Sequence, residues 1–419
     1  MTVTVHPSSP SGELRAIASK SAAHRLLICA AFAEGETTVR CEELNEDIVA
    51  TVRCLNALGA DIRRDDPCFF VKPVSALNKN ALLPCGESGS TLRFLLPVVA
   101  ALGADASFLM QGRLPERPLS PLREELERGG ITLSPMGENP LSCEGMLTIS
   151  DFSIAGNVSS QFLSGLLFAL AVSGKGGRLR LLGTLESAPY VQMTVDTLAL
   201  FGVCVTADGE GFTVAAGKLR SPENAPVEGD WSGAAFPLCM GAVGKNPVTV
   251  SGLSLCSAQG DKAILSLLRR FGATVTERAD SVTVSPAPLH SIDIDASQIP
   301  DLVPVLAATA AVAEGTTVIH HAERLRLKES DRLQTTCAML SALGANISET
   351  EDGLRIKGVP SLSGGKVSAY GDHRIAMSAA VAAVAATSPV IIDGAECAAK
   401  SYPRFWDDIA SLGMSLRRD

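Results

Sequence analysis

One unit of about 70 residues recurs six times along this chain, and a repeat of that length limits the fold more than any other feature. Two independent markers keep the period. A polar cluster ahead of a nearly uncharged, Ala/Leu-rich helix occurs around Ser21, Ser90, Ser160, Ser232, Asp301 and Asp372, at intervals of 69 to 72 residues. A glycine closing a more polar helix occurs at Gly59, Gly130, Gly202, Gly272, Gly344 and Gly413, again at intervals of 69 to 72. The spacing predicts a β-α-β-α-β-β unit: a buried helix such as Ala22 to Ala33, a β-rich segment, a second helix ending at the glycine, then two alternating strands such as Ala273–Thr276 and Ser281–Val284. The marker glycine suits the left-handed residue that ends a helix.

A chain of 419 residues is long for one core, so two domains of three repeats each are expected. The polar, Pro-containing stretch Arg220 to Pro226 marks one crossing between them, and Ser11-Gly12-Glu13 a second. This gives residues 13–226 as one domain and 1–12 plus 227–419 as the other, with function expected in a cleft between lobes. Aromatics make up 4 % of the chain, so the interior must be built from Ala, Leu and Val, which lets helices approach closely. A net charge of −9 without a basic run opposes a nucleic-acid or anionic-membrane surface, so any anion site must be local. The uncharged run Ile375 to Ile392 is broken by Thr387-Ser388-Pro389 and reads as helix then strand. The eleven cysteines show neither a C-x-x-C pair nor a His/Cys cluster, and the N-terminus has no targeting pattern, so a reducing, cytoplasmic setting is expected.

The helix starts carry the functional signal. They include Ser19-Lys20-Ser21, Glu87-Ser88-Gly89-Ser90-Thr91, Ser159-Ser160-Gln161, Ser187-Ala188-Pro189-Tyr190, Pro300-Asp301, Lys328-Glu329-Ser330-Asp331-Arg332, Gly371-Asp372-His373-Arg374 and Lys400-Ser401. The plain reading is N-capping by Ser and Asp. Capping does not account for Lys20, Arg25, Arg93, Arg332, His373 and Arg374, because a cation at the positive end of a helix is unfavourable by up to about 1 kcal/mol. A bound anion reverses that sign. Free N–H groups, hydroxyls and cations together suit phosphate or carboxylate, and several such clusters imply one polyanionic small substrate or two. Asp301 and Glu329 stand beside cations and are candidate proton carriers, with a cap and an ion pair as their structural alternatives.

Together the clusters resemble the 5-enolpyruvylshikimate-3-phosphate synthases, over essentially the whole chain. The pieces that carry the resemblance are Ser19-Lys20-Ser21 with Arg25, Val158 to Phe162, Lys328 to Arg332, Gly371 to Arg374, and Lys400. The resemblance implies a two-domain inverted α/β prism and a cleft that closes on substrate. It implies transfer of the enolpyruvyl group of phosphoenolpyruvate to the 5-hydroxyl of shikimate 3-phosphate with release of phosphate, a step toward chorismate and the aromatic amino acids. No metal, organic cofactor, nucleic acid or membrane is implied, and the state expected is a monomer. By the same resemblance Lys20, Ser21, Arg25, Ser159, Ser160, Gln161, Ser187, Tyr190, Asp301 and Lys328 bind shikimate 3-phosphate. Lys20, Gly89, Arg117, Gln161, Arg332, His373, Arg374 and Lys400 bind phosphoenolpyruvate, while Glu329, Asp301 and Lys20 carry protons.

Three positions depart from the family pattern: Glu87 and Arg324 stand where asparagine is common, and Phe94 where proline is familiar. Two alternatives share the scaffold. A UDP-N-acetylglucosamine enolpyruvyl transferase would carry a lysine-asparagine pair at the first helix and a cysteine in the mobile loop; here the pair is Lys20-Ser21, and Gln111 to Ser120 lacks cysteine. A non-catalytic anion-binding homologue would bind ligand without turnover, and the joint presence of Asp301, Glu329, Lys20 and Arg332 opposes it.

Overall fold

A computed structural model describes all of residues 1–419. Its twenty-four strands and twelve α-helices divide into six sets of four strands and two helices. Each set of strands forms its own four-stranded sheet with the same pattern, one parallel pair followed by two antiparallel pairs. In one repeat, strand Asp293–Asp295 pairs in parallel with Thr316–His320 across helix Val303–Ala310, and Leu354–Lys357 lies antiparallel between Thr316–His320 and Asn346–Glu349. The parallel pair needs a crossover, which the first helix supplies; the antiparallel pair needs only a turn. The expected β-α-β-α-β-β unit is present, and all six marker glycines have φ between 82° and 116°.

The two helix sets differ in burial, as their sequences differ in polarity. Helix Ser160–Val172 is buried from Phe162 through Ala171 without interruption. Helix Ile264–Phe271 instead buries Ile264, Leu265, Leu267, Leu268 and Phe271 and leaves Arg269 and Arg270 exposed, a one-sided stripe that suits an outer position. The strands alternate likewise: Val282 and Val284 point into the core, while the residues beside them in Ser281–Ser285 are half-buried.

By compactness the chain forms two units, Met1–Ile17 with Glu228–Asp419, and Ala18–Val227, each with its own hydrophobic core. The crossings therefore lie at 17/18 and 227/228, later than the expected 12/13 and 226/227. Strand Gly12–Arg15 pairs with Val248–Ser251 and so stays with the later unit, and the Val227 amide, donating to the Arg40 carbonyl at 2.8 Å, closes the other. The strands that precede the first and fourth buried helices have exchanged places. Gly12–Arg15 completes the sheet of the fourth repeat, and Asn224–Pro226 completes that of the first by pairing with Thr37–Arg40. In the last repeat Thr2–His6 fills the slot between Val390–Asp393 and Ser415–Arg418. The uncharged run from Ile375 resolves into helix His373–Val384 and strand Val390–Asp393, and no helix is long and apolar enough to cross a membrane.

Close helix packing is sharpest where Gly89–Leu102 meets Ser160–Val172. A Cβ at Gly165 would overlap the Arg93 carbonyl oxygen and lie 3.1 Å from Pro97 Cγ. Neither neighbour can swing away, because one is helix backbone and the other a ring inside a helix. Gly165→Ala is expected to destabilise the fold by roughly 1–3 kcal/mol, read as a lower denaturant midpoint with unchanged slope.

Candidate active site

In the unit 18–227, the clusters cap their helices and use their cations at the same time. Ser19, Ser88 and Ser159 each accept a backbone N–H of the first turn. Lys20 is the first residue of its helix, and its Nζ lies 3.0 Å from the Asp47 carboxylate. Arg25 is buried. It donates from Nε to Thr194 Oγ1 at 2.9 Å, and from its two terminal nitrogens to the carbonyls of Ser21 and Tyr190, both at 2.7 Å. These bonds tie the first helix to Ala188–Leu200, the helix that carries Tyr190. Burial lowers the Arg25 pKa to about 10, which leaves the guanidinium charged at neutral pH. The Phe94 ring faces the Arg25 guanidinium at 5.0 Å and Phe168 edge-on at 5.5 Å, so this departure from the family pattern serves as an apolar shelf for the arginine.

Gln161 links two helix starts, donating to Ser90 Oγ at 2.9 Å and accepting from Arg93 at 2.7 Å. Arg117 lies across Gly89, where an added Cβ would be 2.9 Å from Nη1. Only glycine leaves the guanidinium that place. Glu87 reaches over Gly112 in the same way. Ser187 sits at φ 52° and makes no side-chain cap bond, which distinguishes it from the serines that cap.

In the other unit the acids and cations form one buried network. Arg332, the first residue of its helix, donates to Asp372 from Nε at 2.8 Å, to Asp301 from Nη1 at 2.8 Å and to Glu329 from Nη2 at 2.7 Å. Arg374 adds a 3.0 Å contact to Asp301, and Lys328 Nζ lies 3.8 Å from the same carboxylate. Asp301 is thus no cap, because helix Val303–Ala310 has no side-chain cap bond; the cap expectation gives way to a carboxylate held by three cations. Glu329 does form the ion pair that was its structural alternative. Burial alone would raise the Asp301 carboxyl; Arg374, Lys328 and Arg332 outweigh it and hold it well below the usual range. Burial lowers Lys328 to about 8, against the pull of Asp301. His373 begins helix His373–Val384 with both faces buried. Lys400 is buried too, at the end of the short 3₁₀ segment Ala395–Lys400 rather than at the start of a helix. Arg324 donates to the Ser297 carbonyl, on the segment leading to Asp301.

Four residues that hold these groups carry little signal in the sequence. Asp47 reads as an ordinary acid in a helix's first turn, yet it holds Lys20. Asp372 was visible as a cap, and it also accepts from Arg332 and Ser330. Thr194 lies deep in the sixth helix. Asp261, in a polar turn, accepts from Ser232, and burial together with the Asp301 charge raises it to about 6, against the pull of Arg374. The folded chain therefore keeps the Asp261 proton over a range where the unfolded chain, with its ordinary value of 3.8, has lost it. That contribution is full below the unfolded value and is lost as pH rises through about 6. Asp261→Asn is expected to shrink the stability difference between pH 5 and pH 8 by about 1 kcal/mol, measured by urea unfolding at both pH values.

Hydroxyl-bearing helix starts with cations in one unit, and buried acids among cations in the other, are the equipment of an enzyme that moves protons on small, multiply charged anions. The model of the EPSP synthase family (3-phosphoshikimate 1-carboxyvinyltransferase) matches residues 5–409. A 3-phosphoshikimate 1-carboxyvinyltransferase of Clostridium kluyveri is 41 % identical, covering 99 % of this chain and 98 % of its own. One of Methanocorpusculum labreanum is 38 % identical over all of both chains. The solved EPSP synthase of Acinetobacter baumannii superposes with a TM-score of 0.81 at 26 % identity, covering 100 % of each chain. The chain belongs to the EPSP synthase family. It is a transferase that moves the enolpyruvyl group of phosphoenolpyruvate onto shikimate 3-phosphate in aromatic biosynthesis.

Proposed function

We propose that shikimate 3-phosphate is held chiefly by Ser21, Arg25, Ser159, Ser160, Gln161, Ser187 and Tyr190, with Lys328 and Asp301 at its reacting edge. Phosphoenolpyruvate is held by Lys20, Gly89, Arg117, Gln161, Arg332, His373, Arg374 and Lys400. The observation that carries the reading is the Arg332 network, in which one guanidinium binds Asp301 and Glu329 together. The carboxylate of phosphoenolpyruvate competes for the same donors. Its arrival displaces Glu329 from Arg332 and adds negative charge beside it, which favours the protonated acid. Glu329 then gives that proton to the methylene carbon, and oxocarbenium character develops at the carbon bearing phosphate. The 5-hydroxyl adds there, oriented by Asp301; a carboxylate held so far below the usual range stays ionised, able to accept the hydroxyl's hydrogen bond but a weak base. Lys20, the ammonium paired with Asp47, relays the hydroxyl proton onto the phosphate oxygen it holds, so that proton leaves with the phosphate. The tetrahedral adduct then returns a methyl proton to the Glu329 carboxylate and expels phosphate, whose growing charge Lys20, Arg117 and Lys400 stabilise.

The unit boundaries at 17/18 and 227/228 are our reading of the domains, and a cytoplasmic monomer without cofactor is our reading of the working form. Phosphate release from phosphoenolpyruvate, assayed with shikimate 3-phosphate, with UDP-N-acetylglucosamine and without acceptor, is expected only with the first, together with the enolpyruvyl product. In that assay Glu329→Gln should lower kcat by 10²-fold or more on the scale of a lost general acid, with little change in either KM. Near-normal turnover would remove Glu329 from the proton path. Arg25→Ala should raise the KM for shikimate 3-phosphate and leave that for phosphoenolpyruvate nearly unchanged; the opposite pattern would invert the allocation.

A further inference from the structure

A second cluster, not used by this mechanism, lies where strand Asp293–Asp295 runs parallel to Thr316–His320. The register puts Asp295 directly opposite His320, and the next residue, His321, has φ 56°. That left-handed turn is held by a 2.8 Å bond from the His321 amide to the Asp352 carboxylate, and it folds the His321 ring back against its neighbour, with ring centroids 4.5 Å apart. The two Nδ1 atoms are 3.2 Å apart, and His321 Nδ1 is also 3.2 Å from Asp295 Oδ1. Two nitrogens and a carboxylate oxygen therefore converge on one point.

The protonation pattern makes this a ligand set. His320 Nε2 lies 2.7 Å from the Asp293 carboxylate, which can only accept a hydrogen bond there and so assigns the N–H to Nε2. The lone pair of His320 then sits on Nδ1, facing His321. Only one proton, on His321 Nδ1, stands among the three acceptors. Zinc–nitrogen bonds of about 2.0–2.1 Å at tetrahedral angles set neighbouring ligand atoms roughly 3.3 Å apart, close to both measured separations. All three ligand atoms lie within 4.8 Å of one another, so a small rotation of Asp295 closes the third edge. Asp293 supplies the carboxylate that orients a metal-binding imidazole from behind. We propose that Asp295, His320 and His321 bind a zinc-class divalent cation in a three-ligand site open to water, with Asp293 as a positioning residue. Two imidazoles select this class over calcium or magnesium. The ion replaces the His321 Nδ1 proton, which leaves to solvent when the ring is charged and moves to Nε2 when it is neutral. Asp352 and Glu323 add negative charge around it.

The test uses Co²⁺ as the probe on the purified full chain, followed by visible absorption and calorimetry. One equivalent is expected to bind with nitrogen/oxygen-type visible bands and without thiolate charge transfer, which separates this site from the exposed Cys204 and Cys256. Binding should be lost in His321→Asn, a residue that tolerates the left-handed turn, and in Asp295→Asn on the exposed strand end. Asp293→Asn should weaken it by about 10–100-fold. Circular dichroism of the metal-free variants checks that each is folded, and turnover of all three without added metal should match wild type. Binding of unchanged affinity in both ligand variants, thiolate bands, or no binding by wild type at millimolar Co²⁺ would each overturn the proposal.

Discussion

The later unit depends on one guanidinium. Arg332 is 2 % exposed and reaches three carboxylates from three different segments: Asp301 ahead of one buried helix, Asp372 at the cap of another, and Glu329 in its own approach. Taking that many charges out of water costs several kcal/mol per ion and is offset only when the geometry satisfies each of them. With Arg374 and Lys328 the cations number three against Asp301, Glu329, Asp372 and Asp261, so the network carries a small negative excess when every acid is ionised. Burial raises Asp261 to about 6, and the Asp301 charge adds to that shift.

The other unit solves the opposite problem. Two of its buried arginines lean on neutral groups: Arg25 on two carbonyls and a hydroxyl, and Arg93 on Gln161 and the Pro118 carbonyl among its contacts. Lys20 is instead paired with Asp47. A cation satisfied by dipoles keeps its net charge for a ligand, whereas one matched to carboxylates spends it inside the protein.

Much of this was legible in the sequence because the repeat fixes phase. A serine at position 21 means little alone; the same kind of residue at 90 and 160 marks a helix start, and the glycines at 59, 130 and 202 mark helix ends. The partners that hold the site were less visible, since each is remote in sequence from what it touches. Thr194 lies 169 residues from Arg25, and Asp372 lies 40 from Arg332. The segment Gly12-Glu13-Leu14-Arg15 is short and polar, and only its pairing with Val248–Ser251 marks it as a strand.

The exchanged strands also order events during synthesis. Residues 18–227 hold every strand of their three sheets, so that half can close once Asn224–Pro226 has emerged from the ribosome. Thr2–His6 and Gly12–Arg15 are made well before their partners: Gly12–Arg15 waits for Val248–Ser251, and Thr2–His6 for Val390–Asp393 and Ser415–Arg418. Until those partners emerge Thr2–His6 is an unpaired strand with an apolar face, Val3 and Val5. It is therefore the stretch that a nascent-chain chaperone has most reason to shield.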